Sequence, residues 1–347
     1  MSDQAPQKKR ITGIFAFVGA FVGFYPADAT ALAEFDPVTR FLYAARSVIL
    51  VISAQAAMIA GLLALADRKL DPVLFLLVLV GFVVLHAISN LSNDYFGYRR
   101  GHDTEDSPRR RYTLHPVASG LFTMRFLAVG LIVLAVIALA IAAYFTFLRG
   151  WPALVLCLIG ILLLYSYDAA PTALKELGLG ELASFLVWGP LMIGGGYFVI
   201  TGIFAFGPFF ISIPYGLGVA SILIGKHIDQ RSFDASQHQR TLPVLMGEGR
   251  ARVLNIAVVA GMYVVTVAAV VWGLLTPLAL VVVVAGPRAL RAVRVMAQPA
   301  PAAAPEGYVG WPLWYHRVCL VHNRQFGWLF IAGLLAGSFF PGLMIKW

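Results

Sequence analysis

Charge is scarce in this chain. Only 12% of its 347 residues are charged, about half the roughly 25% of a soluble domain, which excludes a water-soluble enzyme of this size. Disorder requires low hydrophobicity, and 60% of this sequence is hydrophobic. A compact nucleic-acid binder would not dissolve with so much apolar surface, so the formal net charge of +9 points to no nucleic-acid partner. The two cysteines, Cys157 and Cys319, provide neither a disulfide framework nor metal-ligand spacing. Lys8, Lys9 and Arg10 precede the apolar stretch 11–24 in the charge order of a signal peptide, but no cleavage site stands out and about nine further apolar runs follow it. That stretch is read as a retained surface-lying or re-entrant segment, not a cleaved signal. With a mean hydropathy of +0.81, what remains is an all-α integral membrane protein in a lipid bilayer.

A spanning helix needs about 20 mostly apolar residues. Nine such runs fall near 41–66, 72–92, 121–147, 151–167, 182–203, 208–228, 253–274, 276–296 and 326–345. They predict a nine-helix bundle over 41–347, preceded by a tail and interfacial segment over 1–40. Gly and Pro at Arg149-Gly150-Trp151-Pro152 and Phe206-Gly207-Pro208 mark tight hairpins between spans. Arginines and lysines crowd the loops after spans two, four, six and eight, while the opposite loops hold little beyond Arg68, Lys69 and Arg149. By the positive-inside rule the N-terminus and the crowded loops face the cytoplasm, as in a prokaryotic inner membrane.

The acids are few, 17 in all, and their placement is informative. Asp94, Asp103, Glu105, Asp106, Asp168, Glu176, Glu181, Asp229 and Asp234 all lie at one predicted end of the bundle. Asp94 closes an otherwise apolar helix in Asn90-Leu-Ser-Asn93-Asp94-Tyr-Phe-Gly97, where an unpaired charge would cost several kcal/mol. Asn90 and Asp94 share a helix face, and Gly97 and Gly101 would let Asp103 turn back towards them. Oxygen ligands of this kind suit Mg²⁺, which completes its shell with water and phosphate oxygens. The segment Lys226-His227-Ile228-Asp229-Gln230-Arg231-Ser232-Phe233-Asp234 ends span six in a similar way. Acids and arginines mixed at one face make sense if metal and side-chain cations together grip a diphosphate. Arg109 to Arg111, Lys175 and Arg240 are the candidate cations. Loop aspartates beside arginines are otherwise solvated pairs worth at most about 1 kcal/mol. Asp94 and Asp234, set against apolar helix, escape that reading best. His86, His115, His316 and His322 lack ligand spacing and are read as interfacial or hydrogen-bonded side chains.

Three segments carry a family resemblance. They are Asn93-Asp94-Tyr-Phe-x-Tyr-Arg-Arg-Gly101-x-Asp103, then His115-Pro116-Val117-Ala118-Ser119-Gly120, then the Asp229/Asp234 segment running into Thr241-Leu242-Pro243-Val244-Leu245-x-Gly247. Together they resemble the UbiA superfamily of intramembrane prenyltransferases over roughly residues 40–345. Tyr165-Ser166-Tyr167, Lys175-Glu-Leu-Gly178-Leu-Gly180-Glu181 and Gly189-Pro190-Leu191 look most like its 1,4-dihydroxy-2-naphthoate polyprenyltransferase branch, in menaquinone biosynthesis.

The resemblance implies a nine-helix bundle around a central cavity, with two Asp-rich motifs holding Mg²⁺ and a polyprenyl diphosphate beneath a cytoplasmic cap. The reaction implied is transfer of the prenyl group to an aromatic acceptor, with loss of a carboxylate in the naphthoate branch. Asn93, Asp94 and Asp103 match the first motif, and Asp229 and Asp234 the second. Asp94, Asp103, Asp229 and Asp234 are the expected metal ligands; Asn90, Arg109, Tyr165, Lys175 and Arg240 are the expected substrate contacts. Gly97 and Gln230 stand where the family usually carries an acid, and His115 where an Arg is frequent. Each motif has therefore lost or moved a carboxylate, which leaves two alternatives open: a superfamily enzyme with another acceptor, or a non-catalytic lipid- or quinone-binding or transport protein.

Overall fold

A computed structural model describes residues 13–22, 32–101, 108, 115–168, 173–308 and 310–340. The described residues form helices and turns without strands. In chain order these are α1 (Ile14–Val22), α2 (Pro37–Ala44), α3 (Ser47–Ala66), α4 (Pro72–Arg99), α5 (Met124–Arg149) and α6 (Trp151–Asp168). A 3₁₀ turn, Leu174–Leu177, leads into α7 (Gly180–Thr201) and α8 (Phe206–Asp229). Two short helices follow, α9 (Arg231–Ser236) and α10 (Leu242–Met246), then α11 (Glu248–Val271), α12 (277–296) and α13 (Tyr315–Ser338).

Local chemistry sets the helix starts. Asp36, Asp71 and Thr123 each cap a helix by accepting a backbone N–H, Asp71 from both Val73 (2.8 Å) and Leu74 (3.0 Å). Pro37 and Pro72 occupy the first helical position, where the missing N–H has no intrahelical partner to lose. Gly150, at φ +73°, turns the α5–α6 hairpin in a conformation that favours glycine.

Eight of the described helices are long and apolar enough to cross a bilayer: α3 to α8, α11 and α13. The ninth expected span, 276–296, is helical but differs in kind. Its first half is a 3₁₀ stretch, Pro277–Ala285, and its second half carries Arg288, Arg291 and Arg294, all exposed. Ala285, Ala289, Ala292 and Met296 form the buried face that packs along α13 and α11. The last span also begins earlier than its hydropathy indicates, at Tyr315, because the basic stretch before 326 is part of the same helix.

In membranes small residues let helices approach closely, and here they draw α7, α8 and α13 together. A Cβ on Gly216 would lie 2.9 Å from the Phe185 carbonyl oxygen and 3.0 Å from the Gly189 Cα. One on Gly225 would lie 2.9 Å from the His316 backbone nitrogen. Away from the acidic tips, Arg149 donates to the carbonyls of Val199 (2.9 Å) and Ile200 (2.6 Å), closing the end of α7. The Tyr197 hydroxyl donates to Asp67 at the same end. By contrast, α5 and α6 expose most of their apolar surface; in α6 only Ala153 and Asp168 are buried.

Candidate active site

The first motif occupies the last turns of α4. Asn90 donates to the Ala45 carbonyl at 2.9 Å and fixes the turn between α2 and α3. In that turn Arg46 adopts a left-handed conformation, φ +56°, ψ +50°, which costs an L-residue about 1–2 kcal/mol. The strained backbone aims its guanidinium at Asp94, and the two form an ion pair. Asp94 is 0% exposed.

One turn along, Asn93 donates to Asp168 Oδ1 at 3.0 Å. The same oxygen accepts Lys175 Nζ at 2.5 Å, which ties the 3₁₀ turn to the end of α6. Glu176, next along that turn, pairs with Arg100 at 3.4 Å. The Glu176 carbonyl also accepts the Arg240 backbone N–H at 3.2 Å.

At the end of α8 the second motif divides its acids between two tasks. Asp229 accepts the backbone N–H groups of Tyr315 and His316, each at 2.9 Å, and so caps the start of α13 with both carboxylate oxygens. A carboxylate also suits the partial positive charge of a helix N-terminus. Asp234, on α9, is buried and accepts the Thr241 hydroxyl at 3.2 Å. Burial raises its pKa above the usual carboxylate value; His227, Lys226, Thr241 and Lys175 oppose that shift. Between these acids His227 Nδ1 meets Glu181 Oε1 at 2.7 Å, with both residues buried.

One cavity of about 840 Å³ joins the two motifs. Asn90 and Asn93 line it from the first, and Lys226, His227, Gln230 and Asp234 from the second, with Arg46, Lys175 and Arg317 beside them. The remaining wall is largely apolar, with Leu77, Phe82, Leu139, Ile141, Phe145 and Leu164 among its side chains. Tyr167 faces the cavity within electrostatic reach of Arg46, Asp168 and Asp234.

The expected site residues therefore separate. Asn90, Asn93, Lys175 and Asp234 reach the cavity wall, with Asp94 directly behind Arg46. Asp229 does not, because the start of α13 occupies both its oxygens. Tyr165 is 55% exposed and lies outside the cavity; positions two apart on a helix point nearly opposite ways, so Tyr167 takes the inward place. The Arg240 side chain is exposed, and only its backbone joins the site region. Asp103 and Arg109 lie outside the described residues. Arg46, Lys226, Arg317, Asp168 and the His227–Glu181 pair were not among the expected site residues. For Asp168 the available signal was an acid ending an apolar helix.

Mg²⁺ needs hard oxygen donors. Asp234 presents a carboxylate on the wall, with Gln230 close in sequence. Arg46 engages Asp94, Lys175 and Asn93 engage Asp168, α13 engages Asp229, and position 97 is glycine. Among the described residues no group of three or more His, Cys, Asp or Glu forms a metal cluster. Among the described residues these donors fit one ion at Asp234, its shell completed by water and phosphate oxygens, but not a pair of ions.

A membrane-embedded helical bundle around an apolar chamber with one charged end defines a site for an amphiphile, a molecule with an anionic head and a long hydrocarbon tail. The comparisons with known proteins agree: the profile of the UbiA prenyltransferase family matches residues 54–314, and the chain belongs to that family of membrane prenyltransferases. It is 28% identical to 1,4-dihydroxy-2-naphthoate octaprenyltransferase of Bacillus subtilis over 236 residues, covering 68% of this chain and 75% of that protein. The fold is similar to the solved structure of digeranylgeranylglyceryl phosphate synthase, at TM-score 0.56 and 17% identity over 85% of this chain and 98% of that one. It is also similar to a UbiA homolog from Archaeoglobus fulgidus bound to DMAPP and Mg²⁺, at TM-score 0.50 and 17% identity over 82% and 99%.

Proposed function

We propose that this prenyltransferase moves a polyprenyl group from an allylic diphosphate to an aromatic acceptor, 1,4-dihydroxy-2-naphthoate, in quinone biosynthesis. The observation that supports this most is a cavity with side chains from both motifs at its charged end and hydrocarbon along the rest. The similarity to the Bacillus subtilis octaprenyltransferase supports the choice of acceptor. The site domain is taken as 41–347, with its charged end towards the cytoplasm of a prokaryotic inner membrane, on the distribution of basic loops.

In this reading the diphosphate sits among Arg46, Lys175, Lys226 and Arg317. As the allylic C–O bond breaks, negative charge grows on the leaving oxygens, and fixed cations stabilise that change without reorganising. Mg²⁺, when held by Asp234, neutralises part of the same charge. The apolar wall holds the tail and keeps water from the allylic cation, which otherwise would be hydrolysed. Tyr167 presents an aromatic ring near the charged end, where a ring face stabilises a passing cation. The acceptor ring carbon then forms the new C–C bond, and its carboxylate leaves as CO₂.

The test is turnover by the purified full chain with Mg²⁺, allylic diphosphates of graded length, and a panel of dihydroxynaphthoate, simple phenols and a phosphosugar. Diphosphate release matched by prenylated naphthoate is the expected result. Prenylation of another panel member alone would replace the acceptor. No release with any pair, or wild-type rates in both Asp94→Ala and Asp234→Ala, would refute the site.

A further inference from the structure

The charged end of the cavity has an unusual balance. Among the described residues its wall carries four cations, Arg46, Lys175, Lys226 and Arg317, and one carboxylate, Asp234. The nearby acids stand behind this surface: Asp94 pairs with Arg46, Asp168 with Lys175, and Glu181 with His227. All three acids are buried. Buried carboxylates in such positions orient the cations they pair with. An ion placed at Asp94 or Asp168 would also meet the cation already there. Among the described residues, Gly97 and Gln230 supply no replacement acid, and Asp229 caps α13 with both oxygens.

We infer that the donor's diphosphate is held chiefly by Arg46, Lys175, Lys226 and Arg317, with at most one divalent ion, so that donor binding outlasts removal of metal. This rests on the reading of the cavity as a prenyl diphosphate site. Arginine presents a planar fork of donors that matches phosphate oxygens, and lysine a compact point charge. Arg46 is held by strained backbone and Asp94, and Lys175 by Asp168 and its short turn. Such preorganised cations do for a phosphate what a second metal ion would do.

The experiment is calorimetric titration of the detergent-solubilised full chain with geranyl thiolodiphosphate, a non-cleavable donor analogue, in Mg²⁺ or in EDTA. The expected result is a Kd that rises no more than about threefold in EDTA, or 0.7 kcal/mol at 1.4 kcal/mol per tenfold. Lys226→Gln and Arg317→Gln should each weaken binding about tenfold in EDTA. Manganese titration in the presence of the analogue should count one bound ion per chain by electron paramagnetic resonance.

Binding in Mg²⁺ that falls more than 30-fold in EDTA, two manganese ions per chain, or unchanged affinity in both variants would overturn the inference and leave the prenyl diphosphate reading standing. Absence of binding in both buffers would overturn both.

Discussion

The Arg46–Asp94 pair permits a quantitative test of how the site is built. Asp94 is fully buried and the Arg46 side chain is 18% exposed, so removing either partner strands a charge away from water. Breaking a buried pair in this way costs about 3–5 kcal/mol, whereas replacing both partners by apolar residues of similar volume is close to neutral. Arg46→Met and Asp94→Leu should therefore each lower stability by about 3–5 kcal/mol, and the double variant should recover most of that loss. The assay is a double-mutant cycle on unfolding in mild detergent, followed by intrinsic tryptophan fluorescence. Because the two single losses sum to about 6–10 kcal/mol and the double variant is close to neutral, a coupling energy of at least about 4 kcal/mol is expected, above the roughly 0.5–3 kcal/mol usual for residues in contact. The double variant should fold yet bind the donor analogue at least tenfold more weakly, separating stability from binding. Additive losses, or single variants within about 0.5 kcal/mol of the parent, the usual spread of surface substitutions, would show that the two charges do not depend on each other.

Asp229→Asn should remove charge from the α13 cap and lower stability by about 1.5–3 kcal/mol, as expected for hydrogen bonds to a charged group. Turnover at a permissive temperature should stay within threefold of the parent, and a loss matching that of Asp234→Asn would return Asp229 to the metal site. Tyr165→Phe should leave kcat/KM unchanged, whereas Tyr167→Leu should lower kcat at least tenfold with a smaller effect on donor binding; equal effects would refute the helix phase.

Much of the site was legible because polar groups are conspicuous in an apolar chain. Asn90, Asn93 and Asp94 stand out on a helix of mean hydrophobic character, and Asp234 stands beside another. Arg46 was not legible. It lies between Ala45 and Ser47 at a helix boundary inside an apolar run, and its importance comes from a left-handed turn and a partner 48 positions away. Asp229 looked like a ligand because the helix it caps begins 86 residues later. Tyr165 and Tyr167 could not be told apart, since α6 is apolar on every side and gives no phase from which to tell inward from outward. The ninth helix was found, but its three arginines mark a surface that the hydropathy of its first half conceals.

The turn Leu174–Leu177 has a further consequence. It is fastened to α6 through Lys175, to α4 through Arg100, and to the chain ahead of α10 through the Glu176 carbonyl. Four residues thus act as a buckle across three straps. In the proposed reading an anion bound by Lys175 would bear on all three through this one turn, so the substrate site and the rim share a single fastening.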